Sequence, residues 1–114
     1  MAKAKIPDPL ARRHLVEKGL APEKALAIAE AYLAEDRCVE AVDFLANAGG
    51  EERLAELRSR AVEEGDVFLL RAVADAQDAP PDREEWRRLA ASAESRGLER
   101  YATEARRQAE RGDD

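Results

Sequence analysis

His14, the only histidine, stands one helical turn before Glu17, so the two could share a metal ion. A structural zinc needs four protein ligands and a catalytic one needs three. The order His-x-x-Glu also reverses the Glu-x-x-His pair that di-iron bundles use in duplicate. A solvated or partly packed surface histidine is therefore the expectation, and no metal is assigned. Cys38 follows Arg37, whose charge would favour a thiolate, but no histidine base accompanies it. A small residue at a helix junction is the expected role. No GxGxxG or GxxxxGK[ST] occurs, which removes the phosphate-cradling loops. Acid pairs such as Glu51-Glu52 and Glu63-Glu64 point different ways on a helix and read as a solvated face. No catalytic residues, no cofactor and no enzymatic activity are expected.

Three basic doublets, Arg12-Arg13, Arg87-Arg88 and Arg106-Arg107, carry the chemistry for phosphate contact. Each arginine has acids one turn away, so pairing along the helix is expected to absorb the charge. The net charge of -6 repels a polyanion further, and nucleic acid is not an expected partner. The distribution is sharper than the total. Residues 1–24 hold six Lys/Arg against three Asp/Glu, and residues 86–114 hold seven against six. Residues 25–85 hold six against sixteen, so the acidity is concentrated in the middle.

The elements that carry these residues are helices. Apolar residues make up 45% of the chain, enough for a core, while aromatics are 4% and alanine is abundant. Alanine loses no side-chain entropy in a helix and lets neighbours approach closely. No apolar run approaches the ~20 residues of a membrane span, and MAKAKIPDP lacks the apolar stretch of a secretory signal. With one cysteine, a reducing, cytoplasmic location is expected, away from membranes.

Start and stop signals divide the chain. Asp8-Pro9 opens a helix that ends near Gly19. Pro22 opens a second, running to about Asp36, and a third stops at Asn47 and the Gly49-Gly50 pair. Glu51 to Glu64 is the fourth, broken at Gly65, and Asp66 caps the fifth. Pro80-Pro81 ends that segment. Asp82 with Glu85 three residues on forms a capping box for the sixth, and Gly97 separates it from the seventh. The fifth helix, containing Val67, Phe68, Leu69 and Leu70, is apolar nearly all round and is expected to be buried on all sides.

Three helix pairs share one spacing. The first runs Ala25, Ile28, Ala29, Tyr32, Asp36, Ala41, Leu45, Ala48; the second Leu54, Leu57, Arg58, Ala61, Gly65, Leu70, Ala74, Gln77; the third Trp86, Leu89, Ala90, Ala93, Gly97, Ala102, Arg106, Ala109. The offsets are 29 and 32 residues. This pattern resembles the tetratricopeptide repeat, a helix–turn–helix unit of 34 residues. The match is fullest at Trp86, Leu89, Gly97, Ala102 and Ala109; both offsets are shorter than the family's and its closing proline is missing. The stretch from Tyr32 to Leu70 is also similar to the helical hairpins of clathrin heavy chain and coatomer subunits. Aromatics at Tyr32 and Trp86 are expected to fill the space between helices.

The expected fold is all-α: a right-handed stack of antiparallel helix pairs, a tetratricopeptide-like α-solenoid of about seven helices. An irregular helical bundle is the alternative. The expected layout is a flexible N-terminus at 1–7, one helical-repeat domain at 8–112 and a tail at 113–114. Within the domain, 8–19 is a capping helix and 22–48, 51–77 and 82–111 are the pairs. The resemblance implies that the first helices of the pairs line a concave binding face, with Glu23, Glu30, Glu52, Ser59, Glu84 and Arg87 as its exposed positions. Family members that grip a peptide carboxylate carry Lys, Arg and Asn at such places. Here they are mostly acidic, so a basic or helical segment of a protein partner is expected. The alternative role is a structural, self-associating assembly subunit; monomer and homodimer both stay open.

Overall fold

A computed structural model of the chain describes residues 6–111. Residues 1–5 of the expected N-terminal segment, Gly112 and the tail at 113–114 lie outside the described residues. Among the described residues the fold is all-α, with seven helices and no strand: α1 (Pro9–Lys18), α2 (Pro22–Ala34), α3 (Cys38–Asn47), α4 (Glu51–Glu64), α5 (Val67–Gln77), α6 (Arg83–Ser95) and α7 (Glu99–Arg111). None of these helices is long and apolar enough to cross a membrane.

The helix starts follow from their caps. Asp8, Asp66 and Asp82 each turn a carboxylate back to accept from the backbone N–H three residues on, at Ala11, Leu69 and Glu85. Pro9 and Pro22 occupy first-turn positions, where a missing N–H costs nothing. The box at Asp82 is only half closed, because the Glu85 side chain turns to Arg58 instead of back to the cap.

One turn geometry recurs at the ends of α2, α4 and α6. Asp36, Gly65 and Gly97 all take left-handed backbone, with φ of 59°, 71° and 75°. In each case the next residue's N–H returns to a carbonyl five residues back: Arg37 to Tyr32, Asp66 to Ala61, and Leu98 to Ala93. This double wrap satisfies carbonyls that the helix end would leave open. The same device closes α3 at Gly49, where Gly50 N–H reaches Leu45, and α5 at Asp78, where Ala79 N–H reaches Ala74. So α5 ends on a left-handed Asp78, ahead of the proline pair.

The chain divides into two compact units, residues 1–54 and 55–114. In the first, α2 packs on α3 and α1 rests on α3. Its core is Tyr32 stacked on Phe44 with ring centroids 5.7 Å apart, surrounded by Ala25, Ala29, Ala41, Val42 and Leu45. The guanidinium of Arg12 lies within 6 Å of both rings and that of Arg37 lies 5.0 Å from the Tyr32 ring, so cations flank the aromatic pair. Arg12 is held there by Glu40 O and Asp43. The Tyr32 hydroxyl is buried and makes no hydrogen bond among the described residues.

In the second unit, α6 packs on α7 and α7 also meets α5. Trp86, only 5% exposed, lies in this core with Leu57, Leu69, Leu70, Val73, Leu89 and a file of alanines, Ala90, Ala93, Ala102, Ala105 and Ala109. Gly65 meets the backbone of α6 at Ala93, the closest approach made by any described glycine. The expectation for α5 needs correction. Val67, Leu69, Leu70, Val73 and Ala74 are buried, but Phe68 is 58% exposed and Asp75 faces solvent. Its apolar circumference exceeds what its neighbours cover.

Candidate interaction surfaces

Arg58 organises one side of the second unit. It stands where the other two pairs have Ala29 and Ala90, so the spacing alone marks it as the odd residue. Its Nε and Nη2 donate to the two carboxylate oxygens of Glu85 at 2.8 and 2.7 Å. Its Nη1 donates to Gln77 Oε1 and to the carbonyl of Ala79, each at 2.8 Å. The pair is mostly withdrawn from water, at 18% and 15% exposure. The hydrogen bond to Glu85 raises the pKa of Arg58 further, against the opposing effect of burial. One guanidinium therefore ties α4, the end of α5, the following loop and α6 together. Beside it runs a groove of about 380 Å³ lined by Ala55, Ser59 and Val62 of α4 and Arg88 of α6.

A second, larger groove of about 840 Å³ opens between α5 and α7. Phe68 meets Tyr101 edge to face with centroids 5.8 Å apart, and Leu98, 38% exposed, continues the apolar floor. Arg71 Nη2 donates to Glu104 at 2.6 Å across the groove. Hydrogen bonds from Gln108 first, and from Arg71 next, hold the Glu104 carboxyl below its ordinary pKa of 4.5. A third cleft of about 320 Å³ lies on α6 and α7, between Arg83, Arg87 and Arg106.

The six residues expected on a concave face have different surroundings. Glu23, Glu52 and Glu84 are exposed, each in the first turn of its helix, and none has an ion partner among the described residues. Glu30 is half-buried and accepts both Nε and Nη2 of Arg53, at 2.9 and 2.7 Å. Ser59 lines the groove beside Arg58, whereas Arg87 lines the cleft on α6 and α7; it is Arg88 that shares the groove with Ser59.

The basic doublets also separate. Arg13 pairs with Glu17 and Arg107 with Glu104 along their own helices, while Arg12 reaches Asp43 on α3 and Arg106 reaches Glu94 on α6. Arg87 and Arg88 have no ion partner among the described residues. Pairing along the helix, expected of every doublet, thus holds for Arg13 and Arg107 alone; Arg12 and Arg106 pair with other helices, and at Arg87-Arg88 it fails because Glu84 stays in solvent and Glu85 is held by Arg58. His14 is exposed on α1 and Cys38 is buried at the start of α3. There the Arg37–Glu40 pair, 2.5 Å apart, holds the Glu40 carboxyl below its ordinary 4.5, chiefly through the hydrogen bond.

Comparison of the chain with protein-family models, with curated proteins and with solved structures found no match.

Proposed function

We propose that the chain is a non-enzymatic protein-binding module, cytoplasmic, that takes a basic or helical segment of a partner. The observation that carries the reading is a repeated one. The first helix of each pair opens with an exposed carboxylate that has no ion partner among the described residues: Glu23, Glu52 and Glu84. A carboxylate in a helix's first turn also complements the helix dipole, by roughly 0.3–1 kcal/mol. Its charge still faces water and is available to a cation. Six Lys/Arg against sixteen Asp/Glu over residues 25–85 add a field that steers a basic segment toward the chain. The recurrence of one left-handed turn at Asp36, Gly65 and Gly97 supports reading the pairs as repeats of a tetratricopeptide-like solenoid.

The test is a titration of the chain with a synthetic amphipathic helical peptide bearing lysines on its polar face, beside a glutamate-bearing counterpart. The lysine peptide should bind, the glutamate peptide should not, and affinity should fall steeply between low and physiological salt. The combined Glu23→Gln, Glu52→Gln and Glu84→Gln variant should bind about tenfold or more weakly. Equal binding of both peptides, or an unchanged affinity in that variant, would sink the reading.

A further inference from the structure

We propose that the cleft on α6 and α7 is an anion site that takes a phosphoryl dianion, held by Arg83, Arg87 and Arg106. The cleft uses none of the carboxylates invoked for partner binding.

The first argument is placement. Arg83 and Arg87 stand four residues apart on α6, so their side chains share one face of that helix. Arg106 comes from α7, which packs on α6. All three guanidinium groups line one cleft of about 320 Å³, together with the small, buried Ala109. A methyl group there leaves room for an anion to come within reach of arginines from both helices.

The second argument is charge, and it selects the occupant. Three arginines and one glutamate, Glu110, line the cleft. The groove between α5 and α7 and the groove beside Arg58 are balanced instead, each with two arginines and two glutamates. Arg87 is exposed and has no ion partner among the described residues, and Glu110 likewise faces solvent unpaired among them. Arg106 reaches Glu94, but these side chains are 52% and 67% exposed, so the pair is weak in water and readily exchanged. The lining carries an excess of two positive charges, which a dianion neutralises and a single carboxylate does not. Arginine's planar fork also presents paired donors to the oxygens of a phosphoryl group. A nucleic-acid backbone is a poorer match, because the net charge of -6 repels an extended polyanion. No aromatic side chain lines the cleft among the described residues, so a base would find nothing to stack on.

Titration of the intact, isotopically labelled chain with inorganic phosphate at constant ionic strength tests this. The arginine Nε–H resonances of Arg83, Arg87 and Arg106 should move together along one saturating curve. Sulfate, also a dianion, should bind comparably, and acetate about tenfold or more weakly. Glycerol phosphate separates the sources: tighter binding than inorganic phosphate assigns the site to a phosphate monoester, and equal or weaker binding assigns it to the free anion. Arg87→Gln, with an unchanged circular dichroism spectrum, should weaken phosphate about tenfold, and adding Arg83→Gln should abolish saturation. Arg100→Gln removes the same charge from the other face of the pair, in the groove between α5 and α7, and should leave the affinity as it was. Shifts that rise linearly with phosphate, or that acetate reproduces, overturn the proposal. So does an affinity indifferent to Arg87→Gln, or one lost equally in Arg100→Gln. The lysine-peptide titration depends on none of these arginines, so the two readings fail separately.

Discussion

A β-carbon placed on Gly65 would lie 2.6 Å from the α-carbon of Ala93 and 2.7 Å from its backbone nitrogen. The contact is with main chain, which cannot swing aside. Gly65 also sits at a φ of 71°, where an L-residue is strained. Two requirements therefore meet at one position, the left-handed turn that closes α4 and the close approach of α6.

These two terms can be separated by experiment. Gly65→Ala should cost about 3 kcal/mol or more, from roughly 1–2 for the backbone and a similar amount for overpacking. Gly49 has nearly the same φ, 70°, and no described residue beyond its chain neighbours lies within 4 Å of a β-carbon placed there. Gly49→Ala should cost only about 1 kcal/mol. Urea denaturation of both variants measures the difference; equal losses would mean that the Gly65 contact relaxes freely.

Arg58 offers a second test, of charge rather than shape. Arg58→Ala strands the Glu85 carboxylate at 15% exposure and removes the donor from Gln77 and from the Ala79 carbonyl. Stability should fall by about 2–3 kcal/mol, less than for a fully buried pair because some water reaches both groups. Arg58→Lys keeps the charge but loses the two-pronged fork, and should recover less than half of that loss. A drop under about 0.5 kcal/mol in Arg58→Ala would place the pair among ordinary surface bridges.

Tyr32 makes the opposite kind of prediction. Its ring is fully buried against Phe44, yet its hydroxyl has no hydrogen-bond partner among the described residues. Removing the oxygen removes a desolvation cost and no bond, so Tyr32→Phe should match or exceed the wild-type stability. Tyr32→Ala should lose about 3–5 kcal/mol, since the ring itself fills the core. Thermal melts of the two variants give the comparison. A clear loss in Tyr32→Phe would show that the hydroxyl is bonded in solution.

Most helix limits could be read from the chain because they are set locally. Asp8, Asp66 and Asp82 cap over three residues, and Gly65 and Gly97 mark ends that their own backbone dictates. The ends at Asp36 and Asp78 use aspartate in left-handed backbone, which it takes far less readily than glycine, so residue type alone does not signal that turn. Tyr32 and Trp86, the aromatics expected to fill the space between helices, are both buried. What spacing does not encode is coverage. An apolar circumference on α5 predicted burial, but whether Phe68 is covered depends on how far α7 reaches along it. Charge pairing over long separations was likewise invisible: Glu30 is taken by Arg53, and Glu85 by Arg58 rather than by a cation in its own helix. At the basic doublet on α6 the same long-range pairing withdraws Glu85 and leaves Arg87 and Arg88 without an ion partner among the described residues.

The single tryptophan and the single cysteine fall in different units, Trp86 in residues 55–114 and Cys38 in residues 1–54, and both are buried. Each unit thereby carries its own built-in reporter. Indole emission shifts when the helices around Trp86 open, and a thiol reagent reaches Cys38 only when its own surroundings loosen. Unfolding of the two halves can be timed separately on the unmodified chain, one by light and the other by chemistry.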